Sequence, residues 1–302
     1  MKNIKVAFID SGIGGLIFGI ESILNIATKH DISNLSFLHI GDTKNVPYGL
    51  KTEKQLLKLI TDLTNKAIFY GAKIIVIGCN TACTVIDEKF INEFQKLDIL
   101  IINIIKDSAK YLYNNTKIIN NEMNIAILAT KQTIGSMKYK EALEQIHGDI
   151  YHDNKNIKLN VYSYSPIEWE QSIENNIERH LIKTTVYKHL DSFKEQIGKN
   201  FHKINSVGLF CTHYPYFLKE IKEYFNEYQN NNRIQIIGQG SIFSEIILEK
   251  LNLIDKENKN KNKQKIRNIK INSYITGDNI EPIKNTIQQM YPNVDVVFDF
   301  CD

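Results

Sequence analysis

Short apolar runs alternate along the chain with longer segments in which apolar residues recur at helical spacing. This alternation predicts an α/β protein, with a mainly parallel sheet covered by helices on both faces. Helical spacing is clearest over residues 54–69, 134–145, 177–197 and 242–251. The predicted strands cover residues 5–9, 35–40, 73–77, 100–102, 124–128, 158–162, 206–210 and 234–237.

Two of the predicted strands end in the same way. Ile74-Ile-Val-Ile-Gly-Cys79-Asn-Thr81 and Ser206-Val-Gly-Leu-Phe-Cys211-Thr-His213 each indicate a buried strand, then a cysteine, small polar residues and the start of a helix. Ligand-binding groups collect at the carboxyl ends of parallel strands, because the following helices present unpaired backbone N–H groups there. The two matching segments therefore predict two similar lobes that face one cleft.

Length and composition restrict the classes of protein to consider. A chain of 302 residues with 43% hydrophobic residues is long enough for one large or two medium domains. No stretch approaches the roughly 20 apolar residues of a membrane span, and the N-terminus lacks the pattern of a signal peptide. Four cysteines in such a chain favour reduced thiols and a cytoplasmic protein over a disulfide framework.

The charge balance gives no reason to expect a nucleic-acid partner. The 37 basic and 34 acidic residues leave a net charge of only +3. One basic stretch, residues 256–265, alternates lysine with asparagine and glutamine and contains no aromatic residue for stacking. A solvated loop is favoured there over a contact surface for an acidic partner.

Cys79 stands where a helix N-terminus would favour its thiolate form. A phosphatase motif of the Cys-x5-Arg type is excluded because Val85 occupies the arginine position. Cys83 is expected in the core, and the cysteines and histidines lack the spacing of a zinc site. The sequence thus predicts a reactive thiol and no metal site.

Cys211-Thr-His-Tyr-Pro215 places a thiol, a hydroxyl and an imidazole together at a strand end. His213 is expected to share or tune the proton of Cys211, and Asp10 is expected to assist Cys79. Inverting a carbon centre requires removing a proton from one face and returning one to the other, so two acid/base groups must flank the carbon. Two thiols at matching positions fit this reaction without a cofactor.

Two loops have the composition of ligand-binding segments. Asp10-Ser-Gly-Ile-Gly-Gly15 permits a tight turn that directs backbone N–H groups toward an anion, but Ile17 excludes the dinucleotide fingerprint. Gly41-Asp-Thr-Lys-Asn-Val-Pro-Tyr-Gly49 follows the second strand and brings Tyr48 toward a small ligand. Donors for substrate carboxylates are expected from Ser11, Asn80, Thr81 and Thr212.

Together with Cys79-Asn-Thr81 and Cys211-Thr-His-Tyr-Pro215, these loops resemble, in the same order, the motif set of the glutamate racemase family. Thr130-Lys-Gln-Thr-Ile-Gly-Ser136 is similar to the family's threonine-rich turn, which makes Thr130 and Thr133 further candidates. Thr276-Gly277-Asp278 resembles a segment near its C-terminus. The chain departs from the pattern at 103–107, which lacks a proline, and at Ile237-Gly-Gln-Gly-Ser241.

The resemblance implies a cofactor-independent interconversion of L- and D-glutamate that supplies D-glutamate for the cell wall. It implies Cys79, Cys211, Asp10 and His213 as catalytic residues, with Cys79 acting on D-glutamate and Cys211 on L-glutamate. The implied substrate contacts are Asp10, Ser11, Tyr48, Gly49, Asn80, Thr81, Thr212 and His213. Glu174 is a candidate for a further acidic residue of the second lobe.

The resemblance also implies two pseudo-symmetric α/β lobes, the second inserted within the first. The first lobe is expected at 1–102 plus 215–302 and the second at 103–214. The oligomeric state is left open, with a homodimer as one candidate.

Three other functions remain open at this point. The chain could racemise aspartate or another small acidic amino acid, since the thiols specify proton transfer more firmly than they specify the side chain. It could be a binding protein with a silent site, although the presence of both thiols with Asp10 and His213 weighs against this. No arrangement of residues favours a pyridoxal enzyme.

Overall fold

The computed structural model describes residues 4–29, 35–151, 156–228, 234–255, 270–277 and 280–301. The chain divides into two compact units, unit 1 formed by Met1–Ile104 with Gln239–Asp302, and unit 2 formed by Ile105–Gly238. The basic stretch 256–265 and Asp278 lie outside the described residues.

The strands and helices of the described residues alternate along the chain. The strands are β1 (Ile4–Asp10), β2 (Leu35–Gly41), β3 (Ile74–Ile77), β4 (Leu100–Asn103), β5 (Glu122–Ala129), β6 (Lys158–Tyr164), β7 (Ser206–Phe210), β8 (Gln235–Gly238), β9 (Lys270–Ile275) and β10 (Asp295–Phe300). The α-helices are α1 (Ile13–Lys29), α2 (Glu53–Phe69), α3 (Asn80–Cys83), α4 (Glu88–Gln95), α5 (Ile104–Asn114), α6 (Lys131–Gly135), α7 (Lys138–Tyr151), α8 (Trp169–Glu174), α9 (Arg179–Ile197), α10 (Leu218–Tyr228), α11 (Gln239–Asp255) and α12 (Glu281–Met290). Short 3-10 helices cover Tyr48–Leu50, Gly198–Lys203 and Tyr214–Phe217.

Unit 1 contains a parallel sheet in the order β10-β9-β2-β1-β3-β4. Strand β1 lies between β2 and β3, and its apolar residues Val6–Ile9 are fully buried. In this register Ile9 pairs with Ile40 on one side and with Ile77 on the other. The segments that follow β1, β2 and β3 therefore leave the sheet at the same carboxyl edge.

Unit 2 contains a second parallel sheet in the order β6-β5-β7-β8. Strand β7 is buried along its whole length and lies between β5 and β8. Its core includes Trp169, Phe193, Phe201 and Phe225, all with at most 1% of their surface exposed. The α/β prediction, with two mainly parallel units, is confirmed.

The chain differs from the sequence prediction in its local structure. A single helix was expected over 134–145, whereas α6 ends at Gly135 and α7 begins at Lys138, because Met137 adopts a left-handed conformation with φ of 61°. Strands β9 and β10 were not predicted. Their residues alternate in exposure and contain polar positions, so they lack the continuous apolar run that marks the inner strands.

The boundaries of the units also differ from the expected lobes. The chain passes from unit 1 to unit 2 after Ile104 rather than after residue 102, and it returns to unit 1 after Gly238 rather than after residue 214. The second difference is large because β8 pairs with β7 and completes the sheet of unit 2, so that α10 and β8 both belong to unit 2 before the chain returns to unit 1.

Candidate functional site

Unit 1 presents a thiol, a hydroxyl and a carboxylate in line at the carboxyl edge of its sheet. Asp10 ends β1 and is fully buried. Its Oδ1 accepts hydrogen bonds from the Ser11 backbone N–H at 2.7 Å and from the Ser11 hydroxyl at 3.1 Å. The Cys79 thiol, directly after β3 and Gly78, lies 3.8 Å from the Ser11 hydroxyl. A proton on Cys79 is therefore connected through Ser11 to a buried carboxylate.

Glycines around Asp10 make room for this carboxylate. A Cβ on Gly15 would lie 2.2 Å from the Cβ of Asp10, and one on Gly78 would lie 3.0 Å from its Oδ2. Real Cβ atoms do not approach that closely, so a side chain at Gly15 would displace Asp10. Gly15 at the end of the Asp10–Gly15 turn is thus required for close packing against Asp10.

The loop after β2 fixes Tyr48 by hydrogen bonding. Asp42 is buried and its carboxylate accepts hydrogen bonds from the Tyr48 hydroxyl at 2.8 Å, from Asn45 Nδ2 at 2.9 Å and from the Thr276 hydroxyl at 2.8 Å. Burial, and then the negative charges of Asp42, Cys79 and Asp10, raise the pKa of Tyr48. Tyr48 is therefore a hydroxyl donor held in place near the thiol, while Gly49 lies in the same short helix with open space around it.

The segment after β9 closes over this loop. Gly277 N–H donates to the Thr43 hydroxyl at 2.9 Å, and Lys44 N–H donates to the Thr276 hydroxyl at 3.1 Å. The motif near the C-terminus that was recognised in the sequence therefore has a structural role here: it holds the 41–49 loop against unit 1.

Asn80 and Thr81 begin α3, immediately after Cys79, and both are buried. The side-chain amide of Asn80 forms two hydrogen bonds with that of Gln239: Asn80 Nδ2 donates to Gln239 Oε1 at 2.8 Å and Gln239 Nε2 donates to Asn80 Oδ1 at 3.0 Å. The sequence comparison noted a departure from the family pattern at 237–241 but assigned Gln239 no role.

Unit 2 presents a second thiol, with an imidazole and a carboxylate. Cys211 directly follows β7, and 5% of its surface is exposed. Its Sγ lies 3.6 Å from His213 Nδ1, and His213 Nε2 lies 2.6 Å from Glu174 Oε1. The side chains of His213 and Glu174 are only 2% and 13% exposed. The structure therefore brings Glu174 together with Cys211 and His213.

Burial and the neighbouring charged groups have opposite effects on the pKa values of Cys211 and His213. Burial raises the pKa of the Cys211 thiol, and the hydrogen bond and charge of His213 act against that rise. For His213, burial opposes protonation, but the Cys211 sulfur and the Glu174 carboxylate outweigh it and raise its pKa well above 6.5. Glu174 favours a positive charge on His213, and that charge stabilises the Cys211 thiolate when the thiol loses its proton.

Helix α8 carries Glu174 and is anchored by Trp169 at its first residue. The Trp169 ring packs edge-on against Tyr214 at 5.1 Å and Phe217 at 5.3 Å between centroids, in the 3-10 helix that follows His213. Glu170 lies one turn before Glu174 on the same helix. Burial raises the pKa of Glu170, while the charge of His213 lowers it.

The remaining predicted residues of unit 2 also follow strand ends. Thr212 is buried next to Cys211. Thr130 follows β5 and caps α6, with its hydroxyl donating to Thr133 Oγ1 at 2.9 Å and accepting from Thr133 N–H at 3.3 Å. These two threonines therefore stabilise the helix start at the carboxyl end of β5, and this capping role is what the described contacts show for them.

Asp42, Gln239 and His39 are residues of unit 1 that the sequence analysis did not assign. His39 is buried in β2, its Nδ1 lies 2.9 Å from the Ser273 hydroxyl, and burial lowers its pKa to about 3. Asp42 was part of the recognised loop and could have been assigned from its position at a strand end. The pairing of Gln239 joins residues 159 positions apart, which no local pattern reveals.

Within the part of the chain that the structure describes, no group of three or more histidine, cysteine, aspartate or glutamate side chains has the arrangement of a metal site. Among the same residues, no helix combines the length and the apolar content that a membrane span requires.

Comparison with known proteins places the chain next to the glutamate racemases. It is 29% identical to the glutamate racemase of Lactococcus lactis subsp. lactis over 224 residues, which cover 74% of this chain and 72% of the relative. It is 29% identical to the glutamate racemase of Fusobacterium nucleatum subsp. nucleatum over 227 residues, or 74% of each chain. No protein-family model matches the chain. The relatives confirm the resemblance that the sequence predicted.

Solved structures give the same fold. Glutamate racemase isoform RacE1 from Bacillus anthracis matches with a TM-score of 0.73 and 22% identity over 100% of this chain and 98% of that chain. The glutamate racemase of Francisella tularensis subsp. tularensis SCHU S4, solved in complex with D-glutamate, matches with a TM-score of 0.69 and 21% identity over the same shares. The chain therefore has the two-lobe racemase fold.

Proposed function

We propose that this chain is a glutamate racemase, an isomerase that interconverts L- and D-glutamate by proton transfer at Cα without a cofactor. One observation carries the proposal: in each of two parallel-sheet units, a buried thiol follows an inner strand and is coupled to a second acid/base group. The glutamate racemases among its relatives and the D-glutamate bound by the Francisella tularensis enzyme support glutamate as the substrate.

The reaction assigns one proton transfer to each thiol. The thiolate of one cysteine removes the α-proton and becomes a thiol, and the electron pair of the broken C–H bond remains on the substrate. The thiol of the other cysteine then donates its proton to the opposite face of the same carbon and becomes a thiolate. The product is the other enantiomer, no atom is gained or lost, and the reverse reaction begins from the resulting protonation state.

In unit 2, His213 and Glu174 support the proposed transfer at Cys211. The thiolate is disfavoured by burial, and the imidazolium of His213 at 3.6 Å supplies the charge that makes it accessible. Glu174 keeps His213 protonated through the 2.6 Å contact between its Oε1 and Nε2. Following the resemblance, Cys211 takes the proton from L-glutamate.

In unit 1, Ser11 and Asp10 support the proposed transfer at Cys79. The Ser11 hydroxyl accepts a hydrogen bond from the Cys79 thiol and donates one to the Asp10 carboxylate. The carboxylate therefore polarises the hydroxyl, and the hydroxyl polarises the thiol. Backbone N–H groups after the strand ends, with Asn80, Thr81 and Thr212, are assigned to the substrate carboxylates, while Tyr48 holds the loop beside them through its hydrogen bond to Asp42. We assign this activity to the cytoplasm and its D-glutamate product to peptidoglycan synthesis.

The test is an incubation of purified, reduced protein with D-glutamate in deuterated water in the presence of a chelator. Circular dichroism follows the loss of optical activity, and mass analysis follows deuterium at Cα. Racemisation with deuterium in the product is the expected result. Racemisation of aspartate but not glutamate would replace the substrate assignment, and no exchange with any acidic amino acid would overturn the proposal.

The thiols are tested separately by Cys79→Ser and Cys211→Ser. A serine hydroxyl is far less acidic than a thiol, so each variant should lose racemisation by at least about 1000-fold, the scale expected when a catalytic acid/base group is removed. Cys83→Ser, at a buried cysteine outside the proposed mechanism, is the control. Racemisation within threefold of wild type in either site variant would contradict the two-thiol mechanism.

A further inference from the structure

The amide pair between Asn80 and Gln239 is completely buried, with 3% and 1% of the residue surfaces exposed. Its two hydrogen bonds, at 2.8 and 3.0 Å, use the oxygen and the nitrogen of each amide. An amide that turned by 180° would face oxygen with oxygen and nitrogen with nitrogen. Each partner therefore fixes the orientation of the other.

Gln239 is itself held firmly at the start of α11. The carbonyl of Gly240, the next residue, accepts a hydrogen bond from the Ser22 hydroxyl of α1 at 3.0 Å. A Cβ on Gly240 would lie 2.4 Å from the Cβ of Glu21, so α1 and α11 approach each other closely at this position. The backbone that carries Gln239 is therefore fixed by helix packing, independently of Asn80.

Asn80 links this fixed helix to the first thiol. It is the first residue of α3, and Cys79 is the residue that caps that helix. The Cys79 carbonyl accepts a hydrogen bond from Cys83 N–H at 2.9 Å, so the thiol and the amide belong to one rigid turn. Any force that reorients the Asn80 side chain acts next to Cys79.

We propose that Gln239 is a positioning residue of the unit 1 half-site, which fixes the Asn80 amide and the turn that carries Cys79 for binding of the substrate carboxylate. This inference rests on the proposed function. Burying an amide costs free energy unless its oxygen and its nitrogen both form hydrogen bonds, so an apolar side chain would fill this space at a lower cost. Orientation is what the pair provides beyond packing.

Gln239→Glu tests orientation at nearly constant shape. The carboxylate can accept a hydrogen bond from Asn80 Nδ2 but cannot donate one to Asn80 Oδ1, and it adds a negative charge beside the turn. The KM for both enantiomers is expected to rise about 10-fold, since one hydrogen bond to a charged group corresponds to a factor of this size. In this variant kcat/KM should fall by more than that factor, equally for the two enantiomers, because the added charge also disfavours the Cys79 thiolate. Gln239→Met, which removes both hydrogen bonds and adds no charge, should raise KM in the same direction with kcat changed by less than about threefold.

A second readout does not depend on racemisation. Cys79 is alkylated with iodoacetamide in the absence of substrate, and the reaction is followed by mass spectrometry of the peptide that contains it. In Gln239→Glu the alkylation at pH 7.5 should slow about 10-fold, because a nearby negative charge raises the pKa of the thiol by about one unit. Asn160→Asp is the matched control, since Asn160 Nδ2 donates to Asn124 Oδ1 at 3.1 Å in an amide pair of unit 2. It should leave both KM and Cys79 alkylation unchanged.

The outcomes separate this inference from the proposed function. If wild type racemises glutamate but both folded Gln239 variants keep its KM within twofold, Gln239 only fills space and the inference is wrong. If wild type does not racemise glutamate, the proposed function fails, and the alkylation rate alone decides: a slowed rate in Gln239→Glu supports coupling to Cys79, and an unchanged rate overturns it.

Discussion

Replacement of Glu174 by glutamine tests the charge relay of unit 2 directly. The change keeps the size of the side chain and keeps an oxygen that can accept a hydrogen bond from His213 Nε2, which now lies 2.6 Å from Glu174 Oε1. It removes the negative charge that, together with the Cys211 sulfur, overcomes burial and raises the pKa of His213. We therefore expect the fold to persist and the imidazolium to be lost more easily.

The size of the effect follows from the burial of the pair. With side chains 2% and 13% exposed, the contact is shielded from solvent, and a hydrogen bond to a charged group contributes about 1.5–3 kcal/mol. We expect a destabilisation of about 2 kcal/mol when His213 is protonated in the wild type, and a loss of about 30-fold in kcat/KM if the same energy supports the transition state. The loss must be equal in both directions, because the two enantiomers have the same free energy.

The dependence on pH has a definite sign. A histidine whose pKa is raised in the folded state adds stability that is fully present below its unfolded pKa near 6.5 and is lost as pH rises through the folded value. The difference between wild type and Glu174→Gln should therefore be largest near pH 6. It should decline as pH rises through the folded-state pKa of His213, and what remains is the difference between a carboxylate and an amide as the acceptor from the neutral imidazole.

The assay uses the one tryptophan of the chain. Trp169 is fully buried in unit 2 beside Tyr214, so its fluorescence during urea unfolding reports on the unit that contains the relay. Glu178→Gln is the control, because its contact with His180 at 3.3 Å has both side chains at least 70% exposed and should contribute little. A stability difference independent of pH, with kcat/KM within threefold of wild type, would refute the role of Glu174.

Three further predictions concern unit 1. Burial raises the pKa of Glu21 to about 7, so its ionisation costs stability as pH rises from about 4.5 through 7. Glu21→Gln should therefore exceed the Tm of wild type by a larger margin at pH 8 than at pH 5, where only a small part of this cost is present, and an equal difference at both pH values would contradict this. Gly15→Ala should lower the free energy of unfolding by at least about 3 kcal/mol, because its methyl group would overlap Asp10. Gly135→Ala is the control and should leave stability unchanged, because the space around Gly135 is open. Equal unfolding midpoints for the two variants would disprove the packing argument. Tyr48→Phe should raise the KM for glutamate about 10-fold, because it removes the hydrogen bond to Asp42 that holds the 41–49 loop, and an unchanged KM would remove Tyr48 from the site.

Much of the site could be predicted because its residues are local to strand ends. A parallel strand exposes its carboxyl end to ligands, so Cys79 with Asn80 and Cys211 with His213 could be recognised from short segments that include their own strand and helix. Glu174 was only a candidate, because its surrounding segment resembles the family poorly. The structure associates it with His213 through a helix that Trp169 anchors.

Contacts between distant segments could not be predicted in this way. Gln239 meets Asn80 across 159 positions of the chain, and Thr276 meets Asp42 across 234. Each pair depends on the sheet order, which places β9 beside β2 and returns the chain to unit 1 at α11. The late boundary after Gly238 has the same origin, since β8 belongs to the second sheet by pairing with β7.

The sequence by itself determined the α/β class, the inner strands and the position of both candidate thiols at strand ends, because apolar periodicity and the residues at a strand end are local properties of the chain. Tertiary structure decided which side chains act on those thiols. Burial sets the direction in which the pKa of Cys211 and of His213 moves, and the pairing of Asn80 with Gln239 fixes an amide orientation. Both effects arise only when segments far apart in the chain exclude water from the same place.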